Sequence, residues 1–160
     1  MWGLDDNEVF LKYCPDPRIK GYHALAIDTG ARPHELLGLK IEDIIWPPDG
    51  QPPKFILNGK TGPRVNRSMR YHKYLRNFID QHPKRSIPSS ILFYSKKTGG
   101  ILNEDALRLI YVDKLKPYFT KLLDNPIGQD DRNQILHLLK KPWNPNVFRH
   151  STATEFAGIL

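Results

Sequence analysis

The chain has 160 residues and 18.5 kDa, a length that makes one domain with room for a core. Its 24 Lys+Arg against 17 Asp+Glu leave a net charge of +7 and a pI near 9.5, which favours an anionic partner, nucleic acid ahead of membrane. A single cysteine, Cys14, excludes an internal disulfide and a cysteine-rich zinc site, and no apolar run approaches the 18 or so residues of a membrane span. The N-terminus Met-Trp-Gly-Leu-Asp-Asp is acidic, unlike a signal peptide, so the expected location is cytoplasmic. A basic ribosomal-type or merely soluble protein is the plainer reading of the same charge.

Glu8 to Tyr13 predicts a short helix, ended by the Pro15-Asp-Pro17 turn. Apolar positions Tyr22, Leu25, Ala26 and Ile27 predict a second helix from Ile19 to Thr29, with Gly30 as its terminator. Pro33 suits the first turn of a third helix running through Leu36, Leu37 and Leu39, which puts Arg32 at a helix N-terminus among unpaired backbone donors. Ile41 to Trp46 has β character and is followed by the turn signal Pro47-Pro48-Asp49-Gly50. Lys54–Asn58 and Val65–Met69 predict an antiparallel hairpin across Gly59-Lys60-Thr61-Gly62.

Tyr71 to Gln81 reads as helix, Pro83 to Ser90 as loop, and Ile91 to Tyr94 as a short strand or a buried extended segment. Asn103 is a good N-cap for a long helix from Glu104 to about Leu123. Its inner stripe is Leu107, Tyr111, Leu115, Phe119 and Leu122, and Pro117 is placed to kink it. Gln129 to Lys141 predicts another helix, with Ile135, Leu138 and Leu139 inward, broken by Pro142-Trp-Asn-Pro145. A last helix starts near Asn144 or Asn146 and is still running at Leu160. The fold class expected is α+β, mainly α-helical with a small antiparallel sheet.

Two arginines 117 positions apart, Arg32 and Arg149, each open a helix with an apolar face behind it. Arginine presents a planar fork of donors that stays charged, and a helix N-terminus adds a partial positive field, so the pair forms a natural clamp for one phosphate. The ordinary alternative for Arg32 is an i,i+3 ion pair with Glu35. Lys60, in Gly-Lys-Thr-Gly, is by itself an ordinary hairpin lysine. It is not part of a Walker A loop, because the first glycine that motif needs, six residues before the lysine, is missing. The histidines His23, His34, His72, His82 and His137 have no spacing that suggests a metal site.

The run Thr29-Gly-Ala-Arg-Pro-His-Glu-Leu-Leu-Gly-Leu-Lys-Ile-Glu-Asp43, followed by Lys60 and then Asn146-Val-Phe-Arg149-His-Ser-Thr-Ala153, resembles the catalytic domain of tyrosine site-specific recombinases, the phage-integrase family. The resemblance implies a metal-free and cofactor-free DNA strand transferase acting on double-stranded DNA, with protomer–protomer contacts on the DNA. In that family a tyrosine hydroxyl attacks a phosphodiester, leaving a 3′-phosphotyrosine and a free 5′-hydroxyl, and strand exchange reverses the step. It implies Arg32 and Arg149 on the scissile phosphate, Lys60 as general acid to the leaving 5′-oxygen, and Glu35 and His150 in supporting positions. Asn146 stands where most members carry histidine; asparagine can hold a phosphate oxygen but cannot exchange a proton near neutrality. The surrounding Lys-Lys-Pro-Trp-Asn-Pro is similar to the archaeal integrase branch.

The family's nucleophilic tyrosine follows the second arginine by some thirty residues, whereas the seven tyrosines here end at Tyr118. Helical spacing assigns Tyr22, Tyr71, Tyr74 and Tyr111 to packing or surface roles. The expectation is therefore a partial catalytic domain, residues 1–160, without the N-terminal core-binding domain or the C-terminal tyrosine segment. Two other readings stand beside it: a non-catalytic DNA-binding integrase remnant or regulator, and a basic helical interaction protein.

Overall fold

The computed structural model describes residues 2–48, 50–59, 62–67 and 70–146, with 58–59 and 62–67 described by backbone alone. Helices α1 (Leu4–Tyr13), α2 (Pro17–Thr29) and α3 (Pro33–Leu37) come first, then a 3-10 turn at Ile41–Asp43. Strands β1 (Ile44–Ile45), β2 (Lys54–Gly59) and β3 (Gly62–Arg67) follow, then α4 (His72–Asp80), α5 (Glu104–Leu109), α6 (Lys116–Leu122) and α7 (Gln129–Leu139). The strands form one antiparallel sheet in the order β1-β2-β3. No helix among the described residues is long and apolar enough to cross a membrane.

The α+β, mainly helical class expected from the sequence is the one observed, with local corrections. Helix α1 starts at Leu4 rather than Glu8, because the Asp6 carboxylate accepts from the Gly3 N–H (2.9 Å) and closes the first turn. Helix α3 stops at Leu37, where Gly38 follows, and the buried Leu39 instead accepts a backbone bond from Leu92 (2.8 Å). Ile41–Asp43 is a 3-10 turn rather than strand, closed by the Asp43 carboxylate on the Lys40 N–H at 2.9 Å. Strand β3 begins at Gly62, not Val65, since pairing runs from Lys54↔Arg67 out to Gly59↔Gly62. Ile91–Tyr94 is the buried extended segment: Ile91 bridges to Lys40, Tyr94 to Ile101, and Leu92 and Phe93 are buried.

The long helix predicted from Glu104 is continuous but changes pitch. Asn103 caps it through Ala106 N (2.8 Å), and Ile110–Leu115 is a π-helical turn between α5 and α6. Pro117 has no N–H to give the preceding turn, so the hydrogen-bond ladder must change there; Lys116 N reaches back to Tyr111 O, a π-type bond. All five residues of its predicted inner stripe are buried.

Two aromatic clusters hold the domain together. Phe10 stacks on Tyr111 and Phe119 (centroids 5.5 and 5.4 Å) and meets Trp2 and Trp143 edge-on, which joins α1, the π turn, α6 and the segment after α7. Phe78, Phe93 and Tyr22 form the other, beneath the contact of α2 with α4. At that contact a Cβ on Gly21 would lie 3.3 Å from the Phe78 Cβ, so glycine lets the two helices approach. Inside the first cluster His23 is fully buried, with Nδ1 3.0 Å from the Tyr111 hydroxyl and Nε2 2.8 Å from Asn7 Oδ1. Burial pushes its pKa well below the usual imidazole value, so it is a neutral structural residue.

Candidate nucleic-acid interface

Helix α2 ends where Gly30 adopts φ 67°, a left-handed position that glycine reaches without strain. The Thr29 hydroxyl donates to Leu25 O (2.8 Å) and accepts from Ala31 N (3.1 Å), and Ala31 is buried. The chain is thereby fixed on both sides of the turn before it reaches Arg32, which is exposed. Arg32 is the N-cap of α3: its carbonyl accepts from Glu35 N and Leu36 N, and its own N–H donates to Glu35 Oε1 at 3.3 Å. Glu35 is buried, and this contact ties its carboxylate to the Arg32 backbone. The backbone of Arg32 is thus held while its side chain faces solvent at a helix start.

The approach to the second arginine is built from the other end of the chain. Trp2 Nε1 donates to Pro142 O (2.8 Å), Trp143 Nε1 donates to Leu138 O (3.2 Å), and the two indoles meet edge-on at 5.0 Å. Lys141 reaches the buried Asp6 carboxylate at 2.6 Å. The Asn144 side chain then accepts from Asn146 N (3.0 Å), starting a helix at Pro145–Asn146 with Asn146 exposed.

These two regions meet. A cleft of about 200 Å³ is lined by Pro33, at the first turn of α3, by Leu107 and Arg108 of α5, and by Asn144, Pro145 and Asn146. Glu104 and Asp105 also line it, so its charge is mixed. The residue after Arg32 and the residue three before Arg149 therefore share one cleft although they are far apart in sequence. Lys60, Arg149 and His150 lie outside the described residues, as does the predicted helix beyond Asn146.

Two positioning groups were not singled out by the sequence reading. Asp28, buried in the last turn of α2, accepts from Tyr71 N (2.9 Å) and Arg70 N (3.4 Å), and so ties the chain leaving the hairpin to the turn that carries Arg32. An acidic residue directly after Ala24-Leu-Ala-Ile27 was the available hint. Arg18, also buried, bonds Tyr94 O (2.7 Å) and Asp16 (3.2 Å), anchoring the start of the same helix. Among the tyrosines, burial raises the pKa of Tyr22 and Tyr111, and raises that of Tyr71 to about 12. The Asp131 carboxylate, accepting from the Tyr13 hydroxyl, raises that phenol as well.

No family model matches the chain, and no curated protein matches it in sequence. Solved structures do. The XerH site-specific recombinase bound to its difH substrate in a pre-cleavage complex superposes with a TM-score of 0.58 at 19% identity over 99% of this chain. XerH in a post-cleavage complex with a palindromic difH substrate gives 0.56 at 17% identity, again over 99%. The chain spans 42% of the length of those proteins. The described residues have the mainly helical α+β fold of a tyrosine recombinase.

Proposed function

We propose that this chain is the arginine-bearing part of a tyrosine recombinase catalytic domain and that it grips a DNA phosphodiester between Arg32 and Arg149. The observation that supports this most is the shared cleft, which brings the α3 N-terminus beside the start of the Asn146 helix. Arg32 and Arg149 neutralise the non-bridging oxygens of the five-coordinate transition state. This is preorganised electrostatic stabilisation, and loss of one such donor typically costs about 2.7–4 kcal/mol of barrier. Lys60 protonates the departing 5′-oxygen, and Asn146 donates a hydrogen bond to a phosphate oxygen without taking its proton. Glu35 holds the Arg32 backbone, and His150 supports Arg149 from the neighbouring position. The Lys-Lys-Pro-Trp-Asn-Pro run before the second arginine favours the archaeal integrase branch.

No tyrosine follows Arg149 in these 160 residues, and the phenols of Tyr13, Tyr22, Tyr71 and Tyr111 are all held toward the neutral form. A phenol that resists deprotonation is a poor attacking group, so none of these four is the nucleophile in this reading.

The test is a DNA titration against salt, paired with a denaturing gel on a nicked duplex. With about three to five phosphate contacts, log K falls against log salt with a slope near −0.9 per contact. Arg32→Ala lowers affinity modestly, because other cations share the backbone contacts, and no protein-linked DNA forms. Salt-independent binding, or none at low salt, overturns the reading in favour of a helical interaction protein. A covalent adduct overturns the assignment of the tyrosines.

A further inference from the structure

A second basic surface lies away from the cleft at Pro33. Helices α1, α2 and the start of α4 enclose an open groove of about 500 Å³ whose cationic walls are Lys12, Lys20, Arg70 and Lys73, against one lining carboxylate, Glu8. Lys12 is paired with Asp131 at 2.8 Å, so the charge the groove offers comes first from Lys20 and Lys73. Lys20 and Lys73 form no ion pair with a carboxylate among the described residues. Their ammonium groups sit instead over the ring of Tyr74, at 5.6 and 5.0 Å from its centroid, and the Arg70 guanidinium lies 5.8 Å from the Tyr71 ring. Tyr71 is fixed in turn by its hydroxyl donating to Glu8 (3.2 Å).

We propose that this groove carries the sugar–phosphate backbone of double-stranded DNA, extending the path that passes Arg32. The proposal rests on the DNA-binding reading above and adds a second contact region to it. Continuity supports it. The Asp28 carboxylate that takes the Arg70 and Tyr71 N–H groups belongs to the last turn of α2, directly before the turn carrying Arg32. From Asp28 back to Lys20 the helix covers about 12 Å at 1.5 Å per residue, room for about three phosphates of one strand at about 3.4 Å each along the duplex axis.

The chemistry of the walls separates DNA from an acidic peptide. Protein partners draw most of their affinity from an apolar or aromatic anchor seated in a pocket. Here the Tyr74 ring is already engaged by two ammonium groups, so the groove offers a row of stiffened charges rather than a seat for an anchor. A phosphate backbone asks for charge alone. Cation–π contact also restrains the long lysine side chains and lowers the ordering entropy of binding.

The experiment uses the 160-residue chain and a random-sequence duplex. Lys20→Gln combined with Lys73→Gln is expected to reduce the salt slope by about 1.8, or 0.9 for each phosphate that is no longer neutralised. The Lys20→Arg/Lys73→Arg pair, which keeps the charge, restores it. Lys114→Gln with Lys121→Gln, exposed on the far helices, removes the same charge and leaves the slope unchanged. Thermal midpoints of all variants within error of one another show that folding is intact. If the groove pair behaves like the parent while Arg32→Ala lowers the slope, the groove proposal is overturned and the clamp reading stands. If polyglutamate binds the parent but not the groove pair, with DNA slopes equal, the groove takes acidic protein and the proposal is again overturned. Absence of DNA binding by the parent removes both readings together.

Discussion

Replacing Asp6 by alanine tests how the chain holds the segment before Asn146 in place. The carboxylate is 2% exposed and accepts three bonds, from Gly3 N (2.9 Å), Gln134 Nε2 (2.6 Å) and Lys141 Nζ (2.6 Å). It therefore caps α1 and ties both α7 and the chain leaving it to the N-terminus. Loss of the cap costs about 1 kcal/mol. Removing one partner of a buried ion pair costs about 3–5 kcal/mol, but the Lys141 side chain is 23% exposed and can hydrate, which reduces that share to about 1–2. The sum is about 2–3 kcal/mol, and for a domain of this size the thermal midpoint falls by about 5–10 °C. Burial alone would raise the Asp6 pKa; the bonds from Lys141, Gly3 and Gln134 outweigh it, and the net shift is downward. The folded chain then binds this proton less readily than the unfolded one. The stabilisation is complete above the unfolded value, about 3.9, and disappears as pH falls through the lower folded value. Melts of parent and Asp6→Ala at pH 7 and pH 3 measure it directly. A gap under about 1 kcal/mol at pH 7, or one that widens on acidification, refutes the reasoning.

Two further outcomes follow from local geometry. Gly30→Ala meets no atom within 4 Å but forces a side chain into φ 67°, so the melt should show a loss of about 1 kcal/mol from conformation alone. Burial raises the Cys14 thiol to about 12, so at pH 8 only about one part in ten thousand is thiolate; iodoacetamide should label it in denaturant and leave the native chain untouched, and rapid native labelling would contradict the packing.

The elements that sequence made legible are those set by sterics within a few residues. Gly30 followed by Pro33 marks the end of one helix and the start of the next, because only glycine takes the left-handed turn freely and proline needs no N–H at a first turn. The stripe from Leu107 to Leu122 gave the long helix, and Pro117 marked trouble in it. The π turn in that helix carries Tyr111, which stacks on Phe10, a partner far off in sequence that no local pattern encodes. Asp6, Asn7, Arg18 and His23 are polar side chains that no sequence pattern marked for burial, and they are buried in the fold. Their partners lie as far as 135 residues away, as Lys141 does from Asp6, so the compensation that permits burial is invisible to periodicity. At the site, the placement of Arg32 at a helix start was legible; the meeting of Pro33 with Asn146 in one cleft is a tertiary fact.

The geometry divides the work between residues that meet solvent and residues that hold them. Arg32 and Asn146 are exposed, and exposure alone gives them no fixed position. What fixes them is a set of polar groups aimed at the backbone immediately upstream. Thr29 and Asp28 hold the turn before Arg32, while Trp2, Asp6 and Asn144 hold the segment before and at the start of the Asn146 helix. Backbone anchoring leaves the exposed side chain free to take the rotamer the ligand requires, while its Cα stays in place. A surface held this way tolerates wide change in its exposed side chains. The backbone fold is shared with XerH at under a fifth sequence identity.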